Sequence, residues 1–220
     1  MGQNDFLKRY TQLSYAMDYL KTRKFQMPRP EDWNDKNDTY ALTTYNNEKE
    51  VPESYVLCLT KASESFHHWK IFAPESAKDE GVCIEFRRAA LLEAATTAVQ
   101  SEANGTKLVH REMEYIQIEK LKSGSYSEDD LPFLKRLPYR NEEEYRLCVT
   151  TLIPPKSDRF CFDLPLDTVR RITLSPWTSK RVFQQQRDLI KAIPGCEHLE
   201  ICHSSLLENE RWKKLISELT

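Results

Sequence analysis

The sequence predicts an α+β fold built on a mostly antiparallel or split sheet. Three observations predict it. Helical and strand-like segments mix without the strict alternation that a parallel βαβ sheet requires. The chain holds five glycines and contains neither GxGxxG nor GxxxxGKS/T, so the phosphate-cradling loops of doubly wound folds are missing. Its 220 residues suit one full-sized core and are short for two, which predicts a single domain over residues 1–220.

The elements follow in order. Phe6-Leu7 with Lys8-Arg9-Tyr10 opens the chain as a strand. Leu13, Ala16, Met17 and Leu20 recur at helical spacing, for a helix from about Thr11 to Lys24. Phe25-Gln26-Met27 resumes as a short strand and stops at Pro28-Arg29-Pro30, because two prolines cannot continue a ladder. The segment 31–38 is rich in turn formers and reads as a loop around Trp33. Residues 41–53 are polar and read as irregular and mobile. Tyr55 to Thr60 is nearly all apolar, a central strand buried on both faces.

Lys61 to Ser76 reads as a helix or irregular turn carrying Phe66, Trp69, Ile71 and Phe72. Gly81 to Phe86 is a second buried strand, and Arg87 to Gln100 is alanine-rich and helical. Asn104-Gly105 signals a turn. Leu108 to Ile118 alternates as a strand. Ser123 to Asp130 is an acidic loop, and Leu131 to Leu137 a short helix. The strand from Glu142 follows, then two short strands within 161–166 and 169–175. Ser179 caps a helix reaching Ile193, which Pro194-Gly195 closes. Leu199 to His203 is a last strand, and Leu206 to Leu219 an amphipathic helix.

Composition narrows the function classes. Hydrophobic residues are 40% and charged residues 30%, with 32 basic against 34 acidic side chains and a net charge of -2. That balance supplies no global basic field, so a nucleic-acid partner would have to meet a local patch. The six cysteines show no CxxC spacing, and Cys58, Cys83 and Cys148 sit in apolar runs as small hydrophobes. The polar opening and the lack of a membrane-length apolar run predict a cytoplasmic protein with no membrane partner.

Four clusters stand out as candidates for chemistry. On a strand, Glu142, Glu144 and Arg146 share one face, with Tyr145, Leu147 and Val149 on the other. Two carboxylates so placed repel, and a site uses such a pair to polarise a hydroxyl or to raise the pKa of one member. A solvated edge strand with an internal Glu–Arg pair is the structural alternative. Lys8-Arg9-Tyr10 has surface charge as its plain alternative. Trp33-Asn34-Asp35 has a loop anchor with an Asx turn. His67-His68 diverge in direction on either element and make a poor metal pair. With no HExxH and no GxSxG present, neither a zinc protease nor a serine hydrolase has a motif behind it.

The ordered segments Trp33-Asn34-Asp35, Cys58-Leu59-Thr60, His68-Trp69 with Phe72-Ala73, Gly81-Val82-Cys83-Ile84-Glu85-Phe86 and Glu142-x-Glu144-x-Arg146 resemble a widespread bacterial family of uncharacterised domains. Its members show a basic–aromatic opening, an FNDP-like segment, a CFS strand, a W-x-x-Y segment leading to G-x-C-I-x-F, and an E-x-E-x-R strand. The match runs from about residue 6 to residue 210. Here Trp33 replaces Phe, Lys36 follows in place of Pro, Thr60 replaces Ser and Phe72 replaces Tyr. The lost hydroxyl at Phe72 removes any acid–base role there.

That family is similar in layout to ADP-ribosyltransferases. The resemblance implies an ADP-ribosyltransferase-like fold and NAD as substrate, with no metal. It implies that Arg9 holds the pyrophosphate, that Tyr10, Trp33 or Trp69 stacks on the nicotinamide, and that Asn34 and Thr60 belong to the same binding site. Glu144 would stabilise an oxocarbenium-like ribose, Glu142 would orient or deprotonate the acceptor, and Arg146 would keep a glutamate ionised. The acceptor is a nucleic acid or a protein. The resemblance further implies a toxin of bacterial conflict and antiviral defence, neutralised by an antitoxin protein in a toxin–antitoxin pair. Two other classes compete: a non-catalytic module sensing a nucleotide or phage component, and a magnesium-dependent nuclease using Asp35, Glu142 and Glu144.

Overall fold

The computed structural model describes residues 5–31, 33–72, 75–102, 105–153 and 158–219, without the side chains of 72 and 75–77. Ala73 and the Phe72 side chain, from the family-like segment, lie outside the described residues, as does Asn104 of the expected turn. The elements run β1 (Phe6–Gln12), α1 (Leu13–Thr22), β2 (Lys24–Pro28), α2 (Lys36–Glu48), β3 (Glu53–Thr60), α3 (Phe66–Phe72), β4 (Gly81–Arg87), α4 (Arg88–Ser101), β5 (Lys107–Glu112) and β6 (Glu114–Ile116). There follow α5 (Ile118–Leu121), β7 (Leu134–Arg136), β8 (Glu144–Thr151), β9 (Arg159–Asp163), β10 (Val169–Leu174), α6 (Lys180–Lys191), β11 (Glu200–His203) and α7 (Glu210–Ser217). Among the described residues no helix is long and apolar enough to cross a membrane.

Seven strands form one sheet in the order β11-β10-β4-β1-β3-β8-β5. All neighbours are antiparallel except β10 and β11. The fold class is therefore α+β with a mostly antiparallel sheet. The sheet is also split. β1 pairs with β4 along its whole length, from Phe6 opposite Arg87 to Gln12 opposite Gly81. Against β3 it keeps one register pair, Lys8 with Thr60. Beyond that point the two half-sheets part.

One face of both halves carries the main core. Leu7 and Phe86 from one half meet Leu57, Tyr145, Leu147 and Val149 from the other under α1, α4 and α6. The opposite face carries two smaller clusters. Leu42, Val56, Met113, Phe133 and Cys148 pack beside α2, while Tyr10, Trp69 and Cys83 pack beside α3. A cleft opens between those two clusters, over the split.

Four expectations need correction. Leu108 to Ile118, read as one strand, is two, β5 and β6, which part at Met113 and join different sheets. Residues 41–53, read as irregular and mobile, lie largely in α2, which Asp35 caps by accepting from the Asn37 backbone N–H at 3.0 Å. The polar Thr and Asn content hides this helix, because its stability comes from burying Asp38, Leu42 and Tyr45 rather than from propensity. Leu131 to Leu137 is no helix: a 3₁₀ turn over Glu128–Phe133, with a Ser127–Asp130 capping box, leads into β7. Glu142 does not belong to the β8 strand. It ends a 3₁₀ turn, and Glu143 follows in the left-handed region at φ 42° and ψ 47°, which breaks the ladder one residue before β8 begins.

Candidate active-site cleft

The cleft encloses about 560 Å³, within the range of roughly 300–1,000 Å³ usual for small-molecule sites. Lys8, Arg9 and Tyr10 of β1 border it on one side. Thr60 of β3, Glu142 and Glu144 border it on the other, with Trp33, Asn34 and Asp38 along the α2 edge. The residues singled out in the sequence at the opening strand, at Trp33-Asn34 and at the paired glutamates thus share one hollow.

Arg9 stands in the gap of the split sheet. Its Nη1 donates to the Cys58 carbonyl at 2.7 Å, an acceptor on the β3 edge where β1 no longer pairs. Arg9 also borders a smaller pocket of about 160 Å³ beside Tyr15, Tyr19 and Phe25. Burial pushes its pKa down, while Cys58 and Glu144 oppose that shift. No carboxylate among the described residues forms an ion pair with Arg9. Lys8 is tied differently, its Nζ donating to the Ala62 carbonyl at 2.8 Å.

The opposite wall is a knot of charge. Arg146 is fully buried. Its Nη1 and Nη2 donate to the two Asp38 carboxylate oxygens at 2.8 and 2.7 Å. Nε and Nη2 donate to Glu144 at 2.8 and 3.1 Å, Nη1 reaches the Pro132 carbonyl at 2.9 Å, and the guanidinium lies 5.2 Å from the Trp33 ring centre. Lys135 of β7 sits among the carboxylates. Its Nζ is 2.6 Å from Glu142, 3.2 Å from Glu144 and 3.7 Å from Asp38.

The two glutamates differ sharply. Burial would raise the Glu144 pKa, but Arg146 and Lys135 overcome it and hold the carboxyl at about 2. Glu142 is more exposed and has Lys135 alone as hydrogen-bond donor among the described residues. There burial dominates and pushes the pKa up, with Glu144 and Asp38 adding repulsion and Lys135 opposing. The two cations thus hold one carboxylate as an anion, while burial pushes its neighbour the other way.

Backbone bonds fix the pair. The Thr60 hydroxyl donates to the Glu142 carbonyl at 2.6 Å and accepts from the Ala62 N–H at 2.9 Å. Lys61 N–H reaches the Glu143 carbonyl at 3.1 Å, and Met113 N–H the Glu144 carbonyl at 2.9 Å. The Glu144 N–H donates to the Tyr115 hydroxyl at 2.8 Å.

Several assigned roles change. Trp69 does not border the cleft: it is buried, its ring edge-on to Tyr10 and its indole N–H on Glu64 at 2.7 Å. Its ring is spent on packing away from the cleft. Tyr10 reaches the cleft, but His68 stacks on its ring at 5.5 Å. Thr60 spends its hydroxyl on the Glu142 turn and so positions a glutamate. Arg146 lies beneath the wall and acts through Glu144 and Asp38. Asp35 is engaged as the α2 cap. The sequence reading missed Asp38 and Lys135. Neither carries a local motif, since each matters through partners over a hundred or several residues away along the chain, and the polar setting of Asp38 resembles solvated surface.

A scan against protein-family models gives no match, and no curated protein matches the chain. Among solved structures it is similar to DarT of Thermus sp. 2.9. The DarT complex with ADP-ribosylated ssDNA has a TM-score of 0.46 and 11% identity, over 92% of this chain and 95% of that one. The complex with NAD+ gives 0.45 and 11%, over 91% and 95%. The complex with carba-NAD+ gives 0.47 and 12%, over 93% and 97%.

Proposed function

We propose that the chain is an NAD-dependent ADP-ribosyltransferase-like enzyme that transfers ADP-ribose to a nucleic-acid or protein acceptor. The observation that carries this reading is a juxtaposition across the split: Arg9 and the Glu142–Glu144 pair line one cleft. Arg9 offers its remaining donors to a pyrophosphate. Glu144, which stays ionised far below neutral pH, would stabilise positive charge developing on a ribose ring. The glycosidic bond to nicotinamide breaks and nicotinamide departs with the bonding pair. The acceptor oxygen or nitrogen then bonds to the ribose carbon and gives its proton to Glu142, whose raised pKa suits that exchange. Trp33 supplies aromatic surface at the rim. A toxin role in bacterial antiviral defence, with a neutralising antitoxin partner, rests on the family resemblance.

Incubation with NAD labelled in its adenylate, together with RNA, DNA and lysate protein, tests this directly. Release of nicotinamide and label on one fraction are expected. Replacing Arg9 with Ala should weaken NAD binding by about tenfold or more, the scale of one lost charged hydrogen-bonding group. No nicotinamide release with any acceptor overturns the reading.

A nucleotide-sensing module without catalysis is the second reading. It is favoured by the burial of Glu144 and by the engagement of both its carboxylate oxygens. NAD binding without turnover would establish it. A magnesium-dependent nuclease is disfavoured because Arg146 and Lys135 already fill the space among the carboxylates that a cation would need.

A further inference from the structure

We propose that Lys135 is the positioning residue of the cleft, the cation that keeps Glu142 ionised and in register beside Glu144 so that Glu142 can serve as a base. The inference deepens the reading above and rests on it for the word base.

The argument begins with counting charges. Asp38, Glu142 and Glu144 bring three carboxylates into one wall. Arg146 directs its donors at Asp38 and Glu144 and gives none to Glu142. Without a second cation, Glu142 would face two neighbouring anions from a half-buried position, and neutralisation would follow. Lys135 supplies that cation. Its Nζ lies 2.6 Å from Glu142 Oε2 and 3.2 Å from Glu144 Oε2, so one ammonium joins the two carboxylates across the left-handed turn at Glu143.

The position of Lys135 is built. β7 pairs in parallel with β6, Lys135 opposite Tyr115, and Tyr115 in turn holds the Glu144 N–H. The Tyr139 ring lies 4.9 Å beneath the ammonium. The other titratable or charged groups around the pair are Asp38 on α2, Cys58 on β3, Arg146 on β8, His68 on α3 and Lys8 and Arg9 on β1. Among the described residues, Lys135 alone of the cations reaches the Glu142 carboxylate, while His68 meets its backbone.

The test reads Glu142 itself. The protein is labelled with carbon-13 at glutamate carboxyls, and the Glu142 signal is assigned by its loss in Glu142→Gln. It is then titrated in wild type, Lys135→Met and Lys135→Arg. Loss of the charge in Lys135→Met should raise the Glu142 midpoint by about one pH unit or more, and Lys135→Arg should hold it near the wild-type value. The acidic limb of NAD turnover in Lys135→Met should be displaced upward by the same amount, so that turnover falls about tenfold at pH values on that limb. Lys135→Gln, which keeps a donor and loses the charge, gives the same reading should the methionine variant not fold. An unchanged Glu142 midpoint in the neutral variants overturns the inference. A displaced midpoint with no NAD turnover in wild type supports the electrostatic role of Lys135 and instead overturns the transferase reading.

Discussion

Arg146 has no exposed surface, yet it fixes the chemistry of the wall above it. Two acids depend on it: Asp38, more than a hundred residues away in sequence, and Glu144, two residues away. Removing one partner from a buried ion pair leaves the other charged and desolvated, at a cost of about 3–5 kcal/mol. Arg146→Met should therefore lower unfolding free energy by that amount in chemical denaturation, and a midpoint within error of wild type would refute the buried-knot account. The same reasoning makes Glu144→Gln a poor probe of catalysis alone, since it strips Arg146 of a partner. Glu142→Gln, nearer the surface, separates activity from stability better. At this scale the sequence showed Glu142, Glu144 and Arg146 as an unusual trio. It did not show that Arg146 is beneath the site, because depth depends on α2 and the turn before β7 closing over it.

Element boundaries explain how the two glutamates come to differ. β8 starts at Glu144 because Glu143 takes a left-handed backbone, so Glu142 approaches from a turn and escapes full burial. A β-branched residue suits that backbone badly. Glu143→Val should cost about 1–2 kcal/mol in denaturant unfolding and disturb the Glu142 side chain; an indifferent response would mean that the turn relaxes freely. The apolar strands β3, β4 and β8 were legible from their runs of buried residues, and α6 from its Ser179 cap, whose hydroxyl accepts from the Val182 N–H at 3.3 Å. α2 was not legible, since its buried residues are spaced among Thr and Asn and include an acid.

Across the whole molecule, the split turns a continuous sheet into two lips. The main core holds the halves together on one face, while the two lesser clusters on the other face leave the cleft between them. The charged knot ties α2, β7 and β8 into one unit, so its titration should be felt globally. Glu144 has its folded pKa depressed from 4.5 to about 2. Its contribution is complete above 4.5 and is lost as pH falls toward 2. Asp130, held at about 2 by the Ser127 backbone N–H and Arg111, adds in the same direction. Glu142 has the opposite sign: its pKa is raised, so its contribution is present below 4.5 and fades as pH climbs through the folded value. Melting followed from pH 6 downward should show stability falling mainly between 4.5 and about 2, and a flat profile across that window would contradict the assignment of Glu144.

The buried central strands, the fold class and the chemical identity of the Arg9 and Glu142–Glu144 candidates were determined by sequence, because periodicity and residue type act locally. Tertiary structure decided which of these groups meet, which are buried and which cation serves which acid. It set Trp69 into a core, spent the Thr60 hydroxyl on a turn and brought Lys135 between two carboxylates. The physical reason is that electrostatic and packing energies depend on distance and desolvation in space, and neither quantity is written in the spacing of residues along a chain.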